Sequence, residues 1–122
     1  MPQFITIILL IFINFSVSKI AFSDEKNFEI MERNKKFRLK KVKRKLKNLT
    51  SNVAFEGKHF KIVRSKDEKP ILFSDSSLKL KAATTYFHLE KARSYFINQL
   101  NSEYVKKLPQ ITIRIEHSNK FN

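Results

Sequence analysis

The chain has 122 residues, with 25 Lys and Arg against 11 Asp and Glu, no cysteine, no tryptophan and one glycine, Gly57, for a formal net charge of +14. The lack of cysteine excludes disulfides, thiolate zinc sites, iron–sulfur clusters and cysteine nucleophiles. One glycine cannot build a phosphate-cradling loop, which needs two or three at fixed spacing, and the length allows one domain at most.

From Phe4 to Val17 the chain is almost wholly apolar, with an unbroken run from Ile7 to Ile13. That is the length of a signal h-region. Ala21 and Ser23 flank Phe22 in the small-x-small arrangement that a signal peptidase accepts, so residues 1–23 read as a signal peptide whose removal leaves Asp24 first. The n-region carries no basic side chain. A membrane anchor is the competing reading, but a spanning helix needs about 20 mostly apolar residues, and Asn14, Ser16, Ser18 and Lys19 interrupt the run. The expected location is extracellular or periplasmic.

Charge divides the remaining chain. Residues 24–50 carry a net +7 and residues 51–122 a net +6. Acidic residues open the first segment and basic residues close it, the order that suits a helix macrodipole. Leu39, Val42, Leu46 and Leu49 are spaced by three, four and three, which predicts an apolar stripe on a helix of about three turns, marginal alone in water. Residues 24–50 are therefore expected to form a basic amphipathic arm, helical or flexible. Within it Arg33, Lys35, Lys36, Arg38, Lys40, Lys41, Lys43, Arg44, Lys45 and Lys47 are the candidate binding residues. Such a density of positive charge attracts phosphate backbones or anionic lipid, with strong salt dependence, and the apolar stripe suits a membrane interface. Phe37 alone is available to stack on a base, and charge runs carry no base specificity, so specific nucleic-acid recognition is not expected. The same composition also fits a solvated linker or pro-segment.

Residues 51–122 begin with strand-like material. Val53 and Phe55 alternate on one parity and Phe60 and Ile62 on the other, so a turn or bulge at Gly57-Lys58 is needed to keep both pairs on one face. Ser65 to Pro70 reads as a polar turn and Ile71 to Phe73 as a short strand, making a small hairpin. Asp75, Ser76 and Ser77 offer N-caps before a helix predicted over 78–101, whose apolar face is Leu78, Ala82, Tyr86, Leu89, Phe96 and Leu100, widened by Phe87, Tyr95 and Ile97. Pro109 limits any helix after Tyr104, and Ile111, Ile113 and Ile115 alternate as a half-buried strand. A helix and strand so close to Asn122 look like the start of a domain.

Sites for chemistry are sparse. His59, His88 and His117 are too scattered for a metal site, and a helical His88 bonded to a neighbour or to water is the better reading. Asp67 and Glu68 lie in a lysine-flanked turn, and nothing in the sequence gathers Glu90, Glu103 and Glu116 into an acid–base pair. Ser74, Ser76 and Ser77 around Asp75 are caps before they are nucleophiles. Asn48-Leu49-Thr50 matches an N-glycosylation sequon, relevant in a eukaryotic secretory host.

The stretch Ala82 to Phe96, followed by Leu108 to Ile115 and Asn119 to Asn122, resembles a segment of secreted bacterial proteins related to gluzincin metallopeptidases; the upstream Gly57 to Val63 is similar as well. In that family an aromatic-His helix and an isoleucine/valine-rich strand come before the catalytic zinc helix. The resemblance covers residues 50–122 and implies an N-terminal or truncated piece, because the family's His-Glu-x-x-His motif is lacking in this chain. No catalytic residue carries over. The expectation is an α+β protein, a small hairpin plus one long amphipathic helix and a C-terminal strand, preceded by the basic arm (residues 1–23, 24–50 and 51–122). It is expected to have no cofactor and no catalytic activity of its own, an enzyme reading surviving only for a longer polypeptide of which this is a part; the alternative is an independent secreted protein that engages anionic lipid, envelope polymer or nucleic acid through the basic arm. Its expected partner is an anionic membrane surface or a polyanion, with a missing downstream domain or a protein partner as the other candidate.

Overall fold

The computed structural model describes residues 27–116. The leader, the proposed cleavage point and the tail from His117 to Asn122 lie outside the described residues. Strands β1 (Asn27–Arg33) and β2 (Leu39–Lys45) pair antiparallel. Strands β3 (Phe60–Arg64) and β4 (Ile111–Ile115) pair parallel, and between them run helix α1 (Lys79–Asn98) and a single turn, α2 (Glu103–Lys106). The result is α+β, with a hairpin, one long helix and the expected C-terminal strand.

The amphipathic helix expected across Leu39 to Leu49 does not form; most of this stretch is the second strand of the hairpin. Two observations explain why. Phe28 and Ile30 alternate with Asn27 and Glu29, a period of two, and both are buried along with Leu46. Each full burial of such a side chain stabilises by about 1.5–3 kcal/mol, which outweighs a helix of three marginal turns. Across the ladder Glu29 faces Lys43, Glu32 faces Lys40 and Ile30 faces Val42, so charge and apolar pairing both favour this register. Leu39 ends up exposed and Val42 and Leu49 only partly buried, so the spacing that suggested a stripe does not define a face.

The hairpin expected over 53–73 is replaced by a set of short bridges around β3. A tight reversal does sit at Gly57, whose N–H donates to the Phe60 carbonyl at 2.8 Å, and Ile62 N–H reaches the Phe55 carbonyl at 2.9 Å. Phe55, Phe60 and Ile62 all face the core, but Val53 is 63% exposed. The Ser51 hydroxyl accepts from the N–H groups of Val53 and Ala54, and this local turn takes Val53 out of strand geometry. Ile71 bridges the same region, accepting from Phe55 N–H and donating to the Ile62 carbonyl.

Asp75 holds the entry to α1: its Oδ1 accepts from Ser77 Oγ at 2.8 Å and from the N–H groups of Ser77 and Leu78. Those bonds hold the Asp75 carboxyl below its ordinary value. Leu78, Ala82, Ala83 and Tyr86 are fully buried, and the two alanines let β1 approach the helix closely. The predicted face stops there. Phe96 and Leu100 are 44% and 55% exposed, because β1 and β3 are the strands that pack on α1 and its buried residues, Ala82, Ala83, Tyr86 and Glu90, end near its middle. The core joins Phe28, Ile30, Leu46, Phe55, Ile62 and Ile71 to that half-helix, with Phe28, Phe55 and Phe73 as a three-ring cluster at centroid spacings of 4.8–5.2 Å. Among the described residues, this core runs from Phe28 to Ile115.

Candidate functional site

The basic residues sit on a hairpin that α1 grips at two points. On β1, the Met31 N–H donates to Thr84 Oγ1 at 2.9 Å and the Met31 carbonyl accepts from His88 Nε2 at 2.9 Å. Thr84 and His88 are one helical turn apart, so together they take the place of a neighbouring strand along that edge. That contact gives His88 a structural task. Past the end of β2, the Tyr86 hydroxyl donates to the Lys47 carbonyl at 2.6 Å and Asn48 Nδ2 donates to Glu90 Oε2 at 3.1 Å. Tyr86 and Glu90 are again one turn apart. Burial and the nearby Glu90 charge push the Tyr86 phenol upward, so it remains a neutral donor. The sequon asparagine is thus engaged by its amide nitrogen.

Beyond the Met31 grip the hairpin is free of the core. Every residue from Arg33 to Lys41 is exposed, and these nine residues hold six cations and no carboxylate. The turn is tightly bonded: Asn34 N–H donates to the Arg38 carbonyl at 2.9 Å, Phe37 N–H donates to the Asn34 carbonyl at 3.0 Å, and Asn34 Oδ1 accepts from the N–H groups of Lys36 and Arg38. Such a three-residue loop needs its last residue in the left-handed region, the place of glycine or asparagine. Here that residue is Phe37, with φ 60° and 79% exposure. A bulky side chain in this conformation costs on the order of 1–3 kcal/mol, and its ring gains no burial in return.

The ten candidate residues divide into groups. Arg33, Lys35, Lys36 and Arg38 surround the tip. Lys41 and Lys43 line a polar cleft of about 530 Å³ with Glu29, Ser76 and Lys79. Lys45 and Lys47 line a second cleft, about 250 Å³, with Glu90, Lys91 and Ser94. Arg44 is held by Glu32 at 3.1 Å, and Lys40 faces the same carboxylate across the ladder. Lys79 and Lys91 escape a reading of the sequence because they come from α1, and only the packing of helix on hairpin brings them beside the arm. Glu90 is 6% exposed, and its Oε1 has no hydrogen-bond partner.

Elsewhere, a mostly apolar cleft of about 200 Å³ lies between the second half of α1 and β4, lined by Leu89, Phe96, Leu108 and Ile111 with His59 at its edge. Partial burial and the charges of Arg93 and Lys58 hold His59 below its ordinary value, against the opposing pull of Glu90. Asp67 and Glu68 serve the turn after β3, pairing with Arg64 at 2.9 Å and Arg114 at 2.7 Å. Among the described residues, no three of His, Asp and Glu gather to hold a metal ion, and no helix is long and apolar enough to cross a membrane. Comparison with protein-family profiles, characterised proteins and solved structures gives no match.

Proposed function

We propose that this is a secreted binding protein, processed near Ser23, that docks on anionic surfaces through its β1–β2 hairpin and has no catalytic chemistry of its own. The observation that carries this reading is the stretch Arg33 to Lys41: six cations without a carboxylate, all exposed, on a hairpin anchored to α1 at Met31 and Lys47. Anchoring matters because cations held in a fixed array lose less conformational entropy on binding than cations on a mobile chain. Lys79 and Lys91 extend the array onto the helix. The resemblance of residues 50–122 to the N-terminal part of gluzincin-like proteins brings no reaction with it, since the chain lacks His-Glu-x-x-His.

The test is binding to heparin and to anionic vesicles in low and high salt. Raising salt from about 0.1 M to about 1 M shortens the Debye length from about 10 Å to about 3 Å, and affinity is expected to fall by about two orders of magnitude or more. Replacing Lys35, Lys36, Lys40 and Lys41 by Gln should reproduce the loss in low salt. Affinity that ignores both salt and these substitutions would overturn the proposal.

A further inference from the structure

Resting on that reading, we infer a specific occupant for the hairpin: the Phe37–Leu39 tip is a wedge that inserts into the interface of an anionic phospholipid bilayer. Arg33, Lys35, Lys36 and Arg38 engage the headgroup phosphates.

Two independent observations point to it. The first is placement. Phe37 and Leu39 are 79% and 61% exposed, adjacent but for Arg38, at the end of the hairpin remote from the core. The tip lies several residues past the Met31 grip, which at 3.3–3.4 Å per residue projects it about 10 Å. That matches the depth of about 5–10 Å at which apolar side chains settle below the headgroups. The cations flank the apolar pair, so the ring and the leucine can enter the interface while the charges stay at the phosphate level.

The second is strain. The turn forces position 37 into the left-handed region, where Gly or Asn would sit at ease, yet the residue is a phenylalanine with nothing to pack on. Neither the fold nor solubility gains from a phenylalanine there, whereas insertion into lipid uses the exposed ring.

The chemistry favours lipid over nucleic acid. A stacking platform presents successive aromatics along a basic groove, but Phe37 is the hairpin's only exposed aromatic and its apolar neighbour is aliphatic. Leu39 offers nothing to a base and a great deal to an acyl chain.

The experiment uses the processed chain from Asp24, which contains the whole core described above. Its binding is measured to vesicles of equal parts phosphatidylglycerol and phosphatidylcholine, to phosphatidylcholine vesicles, to heparin and to single-stranded DNA. Phe37→Trp places a reporter at the tip, and since the chain has no other tryptophan its indole emission is read without background. Phe37→Asn with Leu39→Thr removes the wedge while suiting the left-handed turn and the strand, so the hairpin is retained. The expected results are a blue-shifted indole emission quenched by brominated lipid, and a loss of vesicle affinity of about tenfold or more in the double variant. Heparin affinity should change by less than about twofold, because the cations are untouched. If the double variant holds the anionic vesicles as tightly as the parent, or the indole emission stays solvent-like while salt-sensitive binding persists, the wedge is refuted and electrostatic docking stands. If the parent binds neither vesicles nor heparin, the underlying reading fails too. Tighter binding to single-stranded DNA, with the indole quenched but not blue-shifted, would replace lipid by nucleic acid as the occupant.

Discussion

Gly57→Ala should destabilise this protein by about 2–4 kcal/mol, and the cost can be traced to atoms. Gly57 does not occupy the left-handed region, so the backbone conformation accepts alanine. The obstacle is space. A methyl group there would overlap the Tyr86 hydroxyl and lie 2.5 Å from the Asn48 carbonyl oxygen. Tyr86 is fully buried and its hydroxyl holds the Lys47 carbonyl, so displacing it leaves that carbonyl without its partner, at about 1–3 kcal/mol. The Asn48 oxygen is backbone and accepts from Lys58 N–H at 2.8 Å, so it cannot simply swing aside. Overpacking a tight site adds about 1–3 kcal/mol, and partial relaxation brings the sum into the stated range. For a domain of this size each kcal/mol lowers Tm by about 4–8 °C. Urea unfolding followed by circular dichroism and tyrosine fluorescence measures the effect. The decisive comparison is Gly57→Ala in a Tyr86→Phe background, where the nearest obstructing atom is gone and the cost should fall by about 1 kcal/mol. A Gly57→Ala loss below about 0.5 kcal/mol, or strict additivity with Tyr86→Phe, would refute this account.

Two further outcomes test the mounting of the hairpin and the pH response. Thr84→Val preserves shape but removes the acceptor for Met31 N–H; it should cost about 1–3 kcal/mol and speed hydrogen exchange at the Met31 amide, and unchanged protection there would show that the grip is unimportant. Because burial, Arg93 and Lys58 lower the His59 value in the folded state, the unfolded chain binds more protons between that lowered value and the ordinary 6.5. His59 therefore contributes stability that is complete above pH 6.5 and declines as pH falls through that window. Depressed Asp75 and Asp67 add a separate decline at more acidic pH, below their ordinary 3.8. His59→Gln should flatten the stability profile just below pH 6.5 and leave the acidic decline in place, while an identical profile for the variant would refute the assignment.

Local signals are legible where one strong cause acts alone. Strict alternation of Ile111, Ile113 and Ile115 marks β4, and Asp75 before an apolar periodicity marks the start of α1 within a few residues. The arm misleads because two periodicities coexist there. Leu39, Val42, Leu46 and Leu49 suggest 3.6, whereas Phe28 and Ile30 follow a period of two. The second prevails because Phe28 and Ile30 find Phe55, Phe73 and α1 to bury against, partners 25 or more residues away. Likewise, the apolar face of α1 continues in sequence to Leu100, but the strands that cover it end near its middle, leaving Phe96 exposed.

The candidate site divides in the same way. Composition alone gives the quantity and the sign of its charge: ten Lys and Arg between Arg33 and Lys47, in a chain with no cysteine and a single glycine. The geometry of that charge comes from packing. Pairing of β1 with β2 sets alternate lysines on alternate faces, the turn at Asn34 carries Phe37 to the tip, and α1 adds Lys79 and Lys91 to the array. Packing also gives the lone glycine its reason, a methyl-sized gap closed by Tyr86 and the Asn48 carbonyl. Charge is a sum over residues and can be read off the chain, whereas exposure, reach and close approach depend on which distant segments pack together, and that is fixed by burial of the core.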